Sequence, residues 1–360
     1  MAVFDQIGGD DYEQVVYCHD RASGLRAIIA IHSTLLGPAL GGTRFYPYAT
    51  EEAALVDVLN LARAMTYKAA VAGLDLGGGK AVILGDPATD RSDALVRAYA
   101  RQVDSLGGRY LTAEDVGTTR ADMDLIRQET RHVTGVSEAL GGSGDPSGPT
   151  AYGVLWAMRA VARHLWGATS LQDRHVVVSG VGNVGRHLVG HLVSEGARVS
   201  VSDVDPGALD WAVSTHGVEV VGVDAAHRTD CDIFSPCALG GALDHTTIGE
   251  LRCAAVVGSA NNQLADADCA DLLDKAGVLF ATDYVVNAGG LINIAEELAP
   301  GGYSQERAYA AVQAIFDTTA TLLATAEHDA VSTSEVAARL AERRMQQPNG
   351  VPMSPPASRG

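Results

Sequence analysis

Positive charge is scarce in this chain. Lysine and arginine number 26 against 44 aspartates and glutamates, a net charge of −18. The basic face that a nucleic-acid backbone requires is therefore missing. Long apolar runs are missing too, for none reaches the ~18 residues of a membrane span. The opening residues, Met1-Ala2-Val3-Phe4-Asp5-Gln6, carry no basic segment, so the expectation is a cytoplasmic protein without a secretory signal. Cysteine is sparse and unpatterned. Cys18, Cys231, Cys237, Cys253 and Cys269 show no C-x-x-C spacing, which argues against a zinc site or a disulfide frame and leaves reduced, buried thiols. His187 and His191 lie one helical turn apart, but no glutamate completes an H-E-x-x-H pattern. They are read as helix surface, and no metal site is expected.

What the chain does have is apolar residues and glycine. At 360 residues and 47% hydrophobic content it can build about two full cores, and 40 glycines suit an α/β protein with many tight turns. Residues 1–147 alternate strand and helix. Arg26–His32 reads as a strand, and Thr50 caps a long helix whose first turn holds Glu51 and Glu52, where the helix dipole favours acids. Its apolar stripe runs Leu55, Leu59, Ala62, Met65, and Lys68 continues it, so Lys68 is expected to point to the buried side. Ala81–Leu84 is another strand. The segment Gly141–Pro149, dense in Gly, Pro and Ser, reads as a hinge, after which Thr150 opens a helix. Residues 148–327 form the second domain, with strands at Asp232–Phe234, Ala255–Val257 and Val278–Phe280. Helices run from Asn287 to about Met345, and 347–360 has the composition of a disordered tail.

The second domain opens on a dinucleotide fingerprint. His175-Val176-Val177-Val178-Ser179 is a short β-branched strand. It leads into Gly180-Val181-Gly182-Asn183-Val184-Gly185, a complete G-x-G-x-x-G, and an amphipathic helix follows to Gly196. A second strand, Ala197–Ser202, ends at Asp203, close to the ~20 residues expected between the last glycine and the acid that meets ribose. The first glycine permits the tight turn, the second admits pyrophosphate, and the third lets helix and strand pack. The phosphates then sit on the helix N-terminus. Asp203 would repel a 2′-phosphate, and Val204 follows where an NADP site would more often offer arginine, so NAD is the expected cofactor.

A third feature is Leu76-Gly77-Gly78-Gly79-Lys80. Three glycines beside a lysine expose backbone and allow positive φ. A lysine stripped of solvent beside a second cation, here Lys68, loses proton affinity and becomes a general base. Alone this could be a solvated lysine after a glycine turn.

Gly41-Gly42-Thr43-Arg44, Met65-Thr66-Tyr67-Lys68, Gly77-Gly78-Gly79-Lys80, Ala113-Glu114-Asp115-Val116-Gly117-Thr118, the fingerprint, Ser259-Ala260-Asn261-Asn262-Gln263 and Asn287-Ala288-Gly289-Gly290 occur in one order over nearly the whole chain. This ordered set resembles the Glu/Leu/Phe/Val amino-acid dehydrogenases, most closely their leucine and valine members. The resemblance implies an N-terminal α/β substrate (dimerisation) domain and a C-terminal Rossmann NAD-binding domain separated by an active-site cleft, with a last helix at 328–346 packing back on the first domain. It implies a homo-oligomer that acts on a small amino acid, a 2-oxo acid and ammonium. By the same resemblance Lys80 activates water, Asp115 exchanges protons with the amine, and Lys68 and Asn261 hold the substrate carboxylate. Gly41 lets substrate lie against backbone. Thr150 and Asn287 flank the nicotinamide, and Leu40, Ala113, Leu291 and Ile294 line the side-chain pocket.

All four pocket positions are apolar, so a γ-carboxylate would be buried without a partner and glutamate is disfavoured. Branched-chain substrates (Leu, Val, Ile) fit best. Leu291 also matches phenylalanine-type members, which keeps an aromatic substrate as the alternative. Recruitment to condense an aromatic amino-acid derivative, or loss of catalysis to leave an NAD-binding regulator, are the other readings. Ammonia-dependent NADH oxidation separates the condensation reading from deamination, and the retained lysines and acid argue against the regulator.

Overall fold

The computed structural model describes residues 11–347. The readings made for the first ten residues and for the tail beyond Gln347 lie outside them. The chain divides into two compact units. One runs through Asp145 and takes in Ile294–Ser304 and, of the described residues, 341–347. The other holds Pro146–Asn293 and Gln305–Leu340.

The first unit is built on β1 (Gln14–Asp20), β2 (Leu25–Ser33), β3 (Ala39–Tyr46), α1 (Glu51–Val71), β4 (Gly77–Leu84), α2 (Asp93–Ser105), β5 (Tyr110–Glu114) and α3 (Arg120–Glu129). Its sheet has the order β1-β2-β4-β3-β5. β1 and β2 form a hairpin whose turn is held by Asp20, which accepts from the Ser23 amide at 3.0 Å. β3 runs parallel to β4 and β5, so α1 and α2 serve as the crossovers that parallel neighbours need.

The two sheet faces bury different sets. Phe45, Ala81, Ile83, Tyr99, Tyr110, Met123 and Ile126 form the core beneath α2 and α3. On the other face α1 presses Ala54, Leu55, Val58, Leu59 and Ala62 onto Ile28, Ala30 and Val82. The leucine, valine and isoleucine side chains among them contribute roughly 1.5–3 kcal/mol of burial each. As expected, Thr50 caps α1, its hydroxyl accepting from the Ala53 amide at 3.1 Å.

Two local expectations need correcting. The buried line of α1 continues through Thr66, Ala69 and Ala70, while Met65 and Lys68 are only half-buried at its edge. A helix buries positions three and four apart, and the contact with β4 selected the row of Thr66. The triple glycine is strand, not turn. Gly77–Gly79 are extended residues of β4, and none has a positive φ. They are glycine because neighbouring chain fills the space of a side chain: a Cβ on Gly78 would lie 2.1 Å from the Thr66 amide nitrogen.

The second unit contains α4 (Ser147–Trp166), β6 (His175–Ser179), α5 (Asn183–Ser194), β7 (Arg198–Ser202), α6 (Pro206–His216), β8 (Glu219–Val220), β9 (Ile233–Pro236), α7 (His245–Glu250), β10 (Ala255–Val256), α8 (Asp268–Ala276) and β11 (Leu279–Phe280). After these come α9 (Asp283–Val286), α10 (Gly289–Ala295), α11 (Gln305–Gln313), α12 (Ile315–Asp329) and α13 (Thr333–Gln346). All paired strands are parallel, in the order β11-β10-β9-β6-β7-β8. That is the doubly wound Rossmann order, with its switch point between β6 and β9.

The Gly141–Pro149 segment is less open than a hinge reading implies. Glu297 accepts from the Ser143 amide at 2.8 Å, from its hydroxyl at 2.5 Å and from the Gly135 amide at 3.1 Å. Ser147, Gly148 and Pro149 already belong to α4, so the helix starts before Thr150. The C-terminal turns of α13 meet α1 and the turn after it. Tyr67 donates to Glu342 at 3.1 Å, and Arg344 donates to the Ala70 carbonyl at 3.2 Å and to Asp75 at 2.8 Å.

Candidate active site

Strand register explains which motif residues meet in the first unit. Leu40 aligns with Gly78 and Leu111, Gly42 with Ala113, and Thr43 with Ala81 and Glu114. Paired residues of parallel strands point to the same face and alternate along it. Leu40, Gly42, Arg44, Lys80, Ala113 and Asp115 therefore share the face that α1 covers, with Leu40 near the start of β3, Lys80 midway along β4 and Asp115 just past the end of β5.

Lys80 is 6% exposed. Its Nζ lies 2.8 Å from Asp115 Oδ2, and the Arg44 Nε lies 3.3 Å from the same oxygen. Burial works to raise the Asp115 carboxyl, but the Lys80 ammonium and the Arg44 guanidinium outweigh it and hold the group below the usual aspartate range. Gly42 makes the room, since a Cβ there would sit 2.8 Å from the Asp115 Cβ. The loop after β5 is clamped by Thr118, which accepts from the Asp115 amide and donates to the Thr43 carbonyl, both at 2.9 Å. A buried ammonium hydrogen-bonded to an ionised carboxylate is a unit that can relay protons.

Arg44 also has a second partner, which the motif reading did not anticipate. Its Nη1 donates to Asp57 Oδ2 of α1 at 2.9 Å, and the Tyr48 hydroxyl donates to the same oxygen. Lys68 stands half-buried in the last turn of α1, two residues past Thr66. Thr66 abuts Gly78, and Gly78 lies two residues before Lys80. The close approach that requires glycine at position 41 is that of the neighbouring strand: a Cβ there would meet the Gly79 carbonyl at 1.7 Å. Tyr110 donates to the Gly41 carbonyl at 2.7 Å. Leu40 and Ala113 are buried. Leu291 (buried) and Ile294 (half-buried) lie one turn apart on a single face of α10.

In the second unit the fingerprint glycines divide three tasks. Gly180 has φ +110°, and a Cβ there would crowd the Ala238 amide at 2.7 Å. A Cβ on Gly185 would meet the Gly180 carbonyl at 2.0 Å. Gly182, the N-cap of α5, would meet nothing of the protein within 4 Å. The space over Gly182 and the N-terminus of α5 thus fits a phosphate group. Asn183 and Val184 begin that helix. Asp203 stands at the end of β7, its Oδ2 accepting from the Val181 amide at 2.6 Å and its Oδ1 from the Asp205 amide at 2.9 Å.

Asn261 and Asn287, distant in sequence, are brought together. Asn287 Nδ2 donates to Asn261 Oδ1 at 2.8 Å and to the Ser259 carbonyl at 3.1 Å, which leaves the Asn261 amide nitrogen as its donor end. Thr150 donates to the Pro146 carbonyl at 2.8 Å and packs on Gly290, whose Cβ would lie 2.7 Å from its hydroxyl. Gln263 was not singled out from sequence. It is buried and donates to the Gly258 carbonyl at 2.8 Å and the Ala260 carbonyl at 3.0 Å, shaping the Asn261 loop.

His187 is exposed, whereas His191 is half-buried beside the Tyr152 ring, where burial and then His187 lower its proton affinity. Among the described residues one group, His245, Asp266 and Cys269, has its ligand atoms within 4.8 Å. Two of the three are exposed, and Asp266 already accepts from the Asp268 and Cys269 amides at the start of α8. No described helix is long and apolar enough to cross a membrane.

Residues 12–132 match the family model "Glu/Leu/Phe/Val dehydrogenase, dimerisation domain", and 141–211 and 207–347 match "Glutamate/Leucine/Phenylalanine/Valine dehydrogenase". The chain is 49% identical to a leucine dehydrogenase of Bacillus cereus, over 96% of this chain and 94% of that one. It is 53% identical to a valine dehydrogenase of Streptomyces coelicolor, over 93% and 92%. Among solved structures it is similar to L-tryptophan dehydrogenase from Nostoc punctiforme, with a TM-score of 0.86 and 41% identity over 97% of this chain and all of that one.

Proposed function

Because the chain belongs to the Glu/Leu/Phe/Val dehydrogenase family, we propose that it catalyses the reversible NAD-dependent oxidative deamination of branched-chain L-amino acids to the 2-oxo acid, ammonium and NADH. The observation that carries the reading is the buried Lys80 Nζ 2.8 Å from the Asp115 carboxylate. Lys68 and the Asn261 amide hold the substrate carboxylate, the lysine as a point charge and the asparagine as a donor. Asp115 takes a proton from the substrate ammonium, which leaves the amine lone pair able to drive hydride loss from the α-carbon. A bound nicotinamide dinucleotide would supply the hydride acceptor. Lys80, as the free amine, takes a proton from water as it adds to the imino carbon. Asp115 returns its proton to the nitrogen, and the C–N bond breaks to release ammonia as the hydroxyl loses its proton and closes to the 2-oxo acid.

A bound nicotinamide dinucleotide would be held by the α5 N-terminus over Gly182 and by Asp203, Thr150 and Asn287. Asp203 is a fixed negative charge where NADP would bring a phosphate, which favours NAD. Leu40, Ala113, Leu291 and Ile294 offer no cation, so the side chain they accept is apolar. The leucine and valine dehydrogenase relatives support the aliphatic choice. The tryptophan dehydrogenase likeness and Leu291 support an aromatic substrate as the second reading. The family's dimerisation domain supports a homo-oligomer, and five free cysteines support the reducing cytoplasm.

The test is NADH formation at alkaline pH on L-valine, L-leucine, L-isoleucine, L-phenylalanine, L-tryptophan and L-glutamate, with wild type and Lys80→Ala. Fastest turnover on the aliphatic set, lost by about 10³-fold in Lys80→Ala, is expected. A preference for the aromatic set would overturn the substrate reading, and an unimpaired Lys80→Ala would overturn the mechanism.

A further inference from the structure

Asp115 does not face Lys80 alone. Its Oδ2 is shared by Lys80 Nζ at 2.8 Å and Arg44 Nε at 3.3 Å, while the other arm of Arg44 reaches Asp57 at 2.9 Å. Arg44 comes from β3, Lys80 from β4, Asp57 from α1, and Asp115 from the loop after β5. The chain Lys80–Asp115–Arg44–Asp57–Tyr48 therefore alternates in charge until it ends on a phenol. Burial first, then hydrogen bonding to Asp57, pushes the Tyr48 hydroxyl up, so it stays a neutral donor that closes the chain. Arg44 and its two carboxylate partners are shielded, with side-chain exposures of 24% for Arg44, 29% for Asp57 and 21% for Asp115. Shielded, two-ended guanidinium contacts fix geometry better than a solvated ion pair.

We propose that Arg44 is a positioning residue for the reaction. It aims the Asp115 carboxylate at its proton partner and ties it to α1, the helix that carries Lys68. The proposal rests on the proton-transfer role given to Asp115 above. Its physical content is twofold. Arg44 fixes the carboxylate in place, and it supplies positive charge that keeps the cluster poor in protons. The titratable groups facing Asp115 are Lys80 from β4 and Glu114 beside it on β5. Those facing Arg44 are Asp115, Asp57 and Tyr48. Removing a positive charge raises the proton affinity of every group in the cluster.

The experiment measures kcat and KM for the amino acid, the pH profile of kcat/KM and the melting temperature for Arg44→Gln, Arg44→Lys and Asp57→Asn, with Asp115→Asn as reference. Arg44→Gln is expected to lower kcat about ten- to a hundredfold with KM changed little. It should also move the acid limb of kcat/KM to higher pH by about half a unit to one unit. Arg44→Lys keeps the charge but not the two-ended reach, so kcat falls while the limb stays. Asp57→Asn removes a negative charge, so any limb shift is smaller and in the opposite direction. A lowered melting temperature with wild-type kcat and an unmoved limb in the Arg44 variants would overturn the proposal. If Arg44→Gln does not fold, the Arg44→Lys and Asp57→Asn profiles decide in the same way. A fully active Asp115→Asn would instead sink the mechanism on which the proposal rests. An inactive Asp115→Asn beside a normal Arg44→Gln would sink this proposal alone.

Discussion

The chain carries two glycine-rich motifs, one in each unit, and they are glycine for opposite reasons. In β4 the space of each missing side chain is taken by the protein itself: Gly77 faces the Ser33 carbonyl, Gly78 the Thr66 backbone and Gly79 the Tyr110 ring. In the fingerprint only the outer glycines are filled in this way, and Gly182 opens onto nothing within 4 Å. The first motif brings helix and strand close enough to set Lys68 and Lys80 near one contact point. The second leaves a cradle. Glycine in sequence thus records a close approach without saying whether chain or ligand makes it, and the neighbouring backbone decides.

The largest test of that contrast is Gly78→Ala. Its Cβ would stand 2.1 Å from the Thr66 nitrogen and 2.5 Å from its Cα, backbone atoms that cannot step aside. The substitution is expected to cost more than about 4 kcal/mol, enough to prevent folding of the first unit. Denaturant unfolding or loss of soluble protein reads this out. A wild-type midpoint would mean that α1 slides easily on β4 and that the lysines are not fixed by this contact. Gly182→Ala is the converse case. Without nucleotide its melting temperature should stay within about 2 °C of wild type, since helix N-caps tolerate the change at about 1 kcal/mol. Its Kd for NAD should rise by tenfold or more. Equal nucleotide affinity by calorimetry would show that the cradle is not where pyrophosphate lies.

The same contrast explains what could be read from sequence. The second unit was legible because its evidence is local: β6, the fingerprint, α5, β7 and Asp203 follow one another within about 30 residues, and each constrains the next. In the first unit the motif residues were recognisable, but not their setting. The glycines before Lys80 look like a turn until Thr66, Gly41 and Tyr110 are placed around them. The edge strand β1 and the short β5 lacked a periodic signal of their own. Arg44 stood in a motif without a role because its partners are 13 and 71 residues away, at Asp57 and Asp115. Ordered motifs gave the chemistry, whereas long-range register supplied the electrostatics.

The smallest expected effect comes from Asp203, which belongs to both sides of the comparison. Its Oδ2 holds the Val181 amide at 2.6 Å and its Oδ1 the Asp205 amide at 2.9 Å, so it shapes the fingerprint loop as a close approach of the protein to itself. It also stands after β7 where a ribose would come. Asp203→Asn separates the two tasks. The amide oxygen still accepts from Val181, so the fingerprint side of the loop is retained, while the Asp205 amide loses its acceptor and the fixed charge is gone. If charge sets cofactor choice, the ratio of kcat/KM for NADP to that for NAD should rise about tenfold, near 1.4 kcal/mol, while the NAD value changes little. Asp203→Ala loses the acceptor as well, so both cofactors should bind more weakly. An Asn variant with an unaltered cofactor ratio but a lowered melting temperature would make Asp203 a loop-holding residue only, and the preference for NAD would then have to come from the shape of the loop itself.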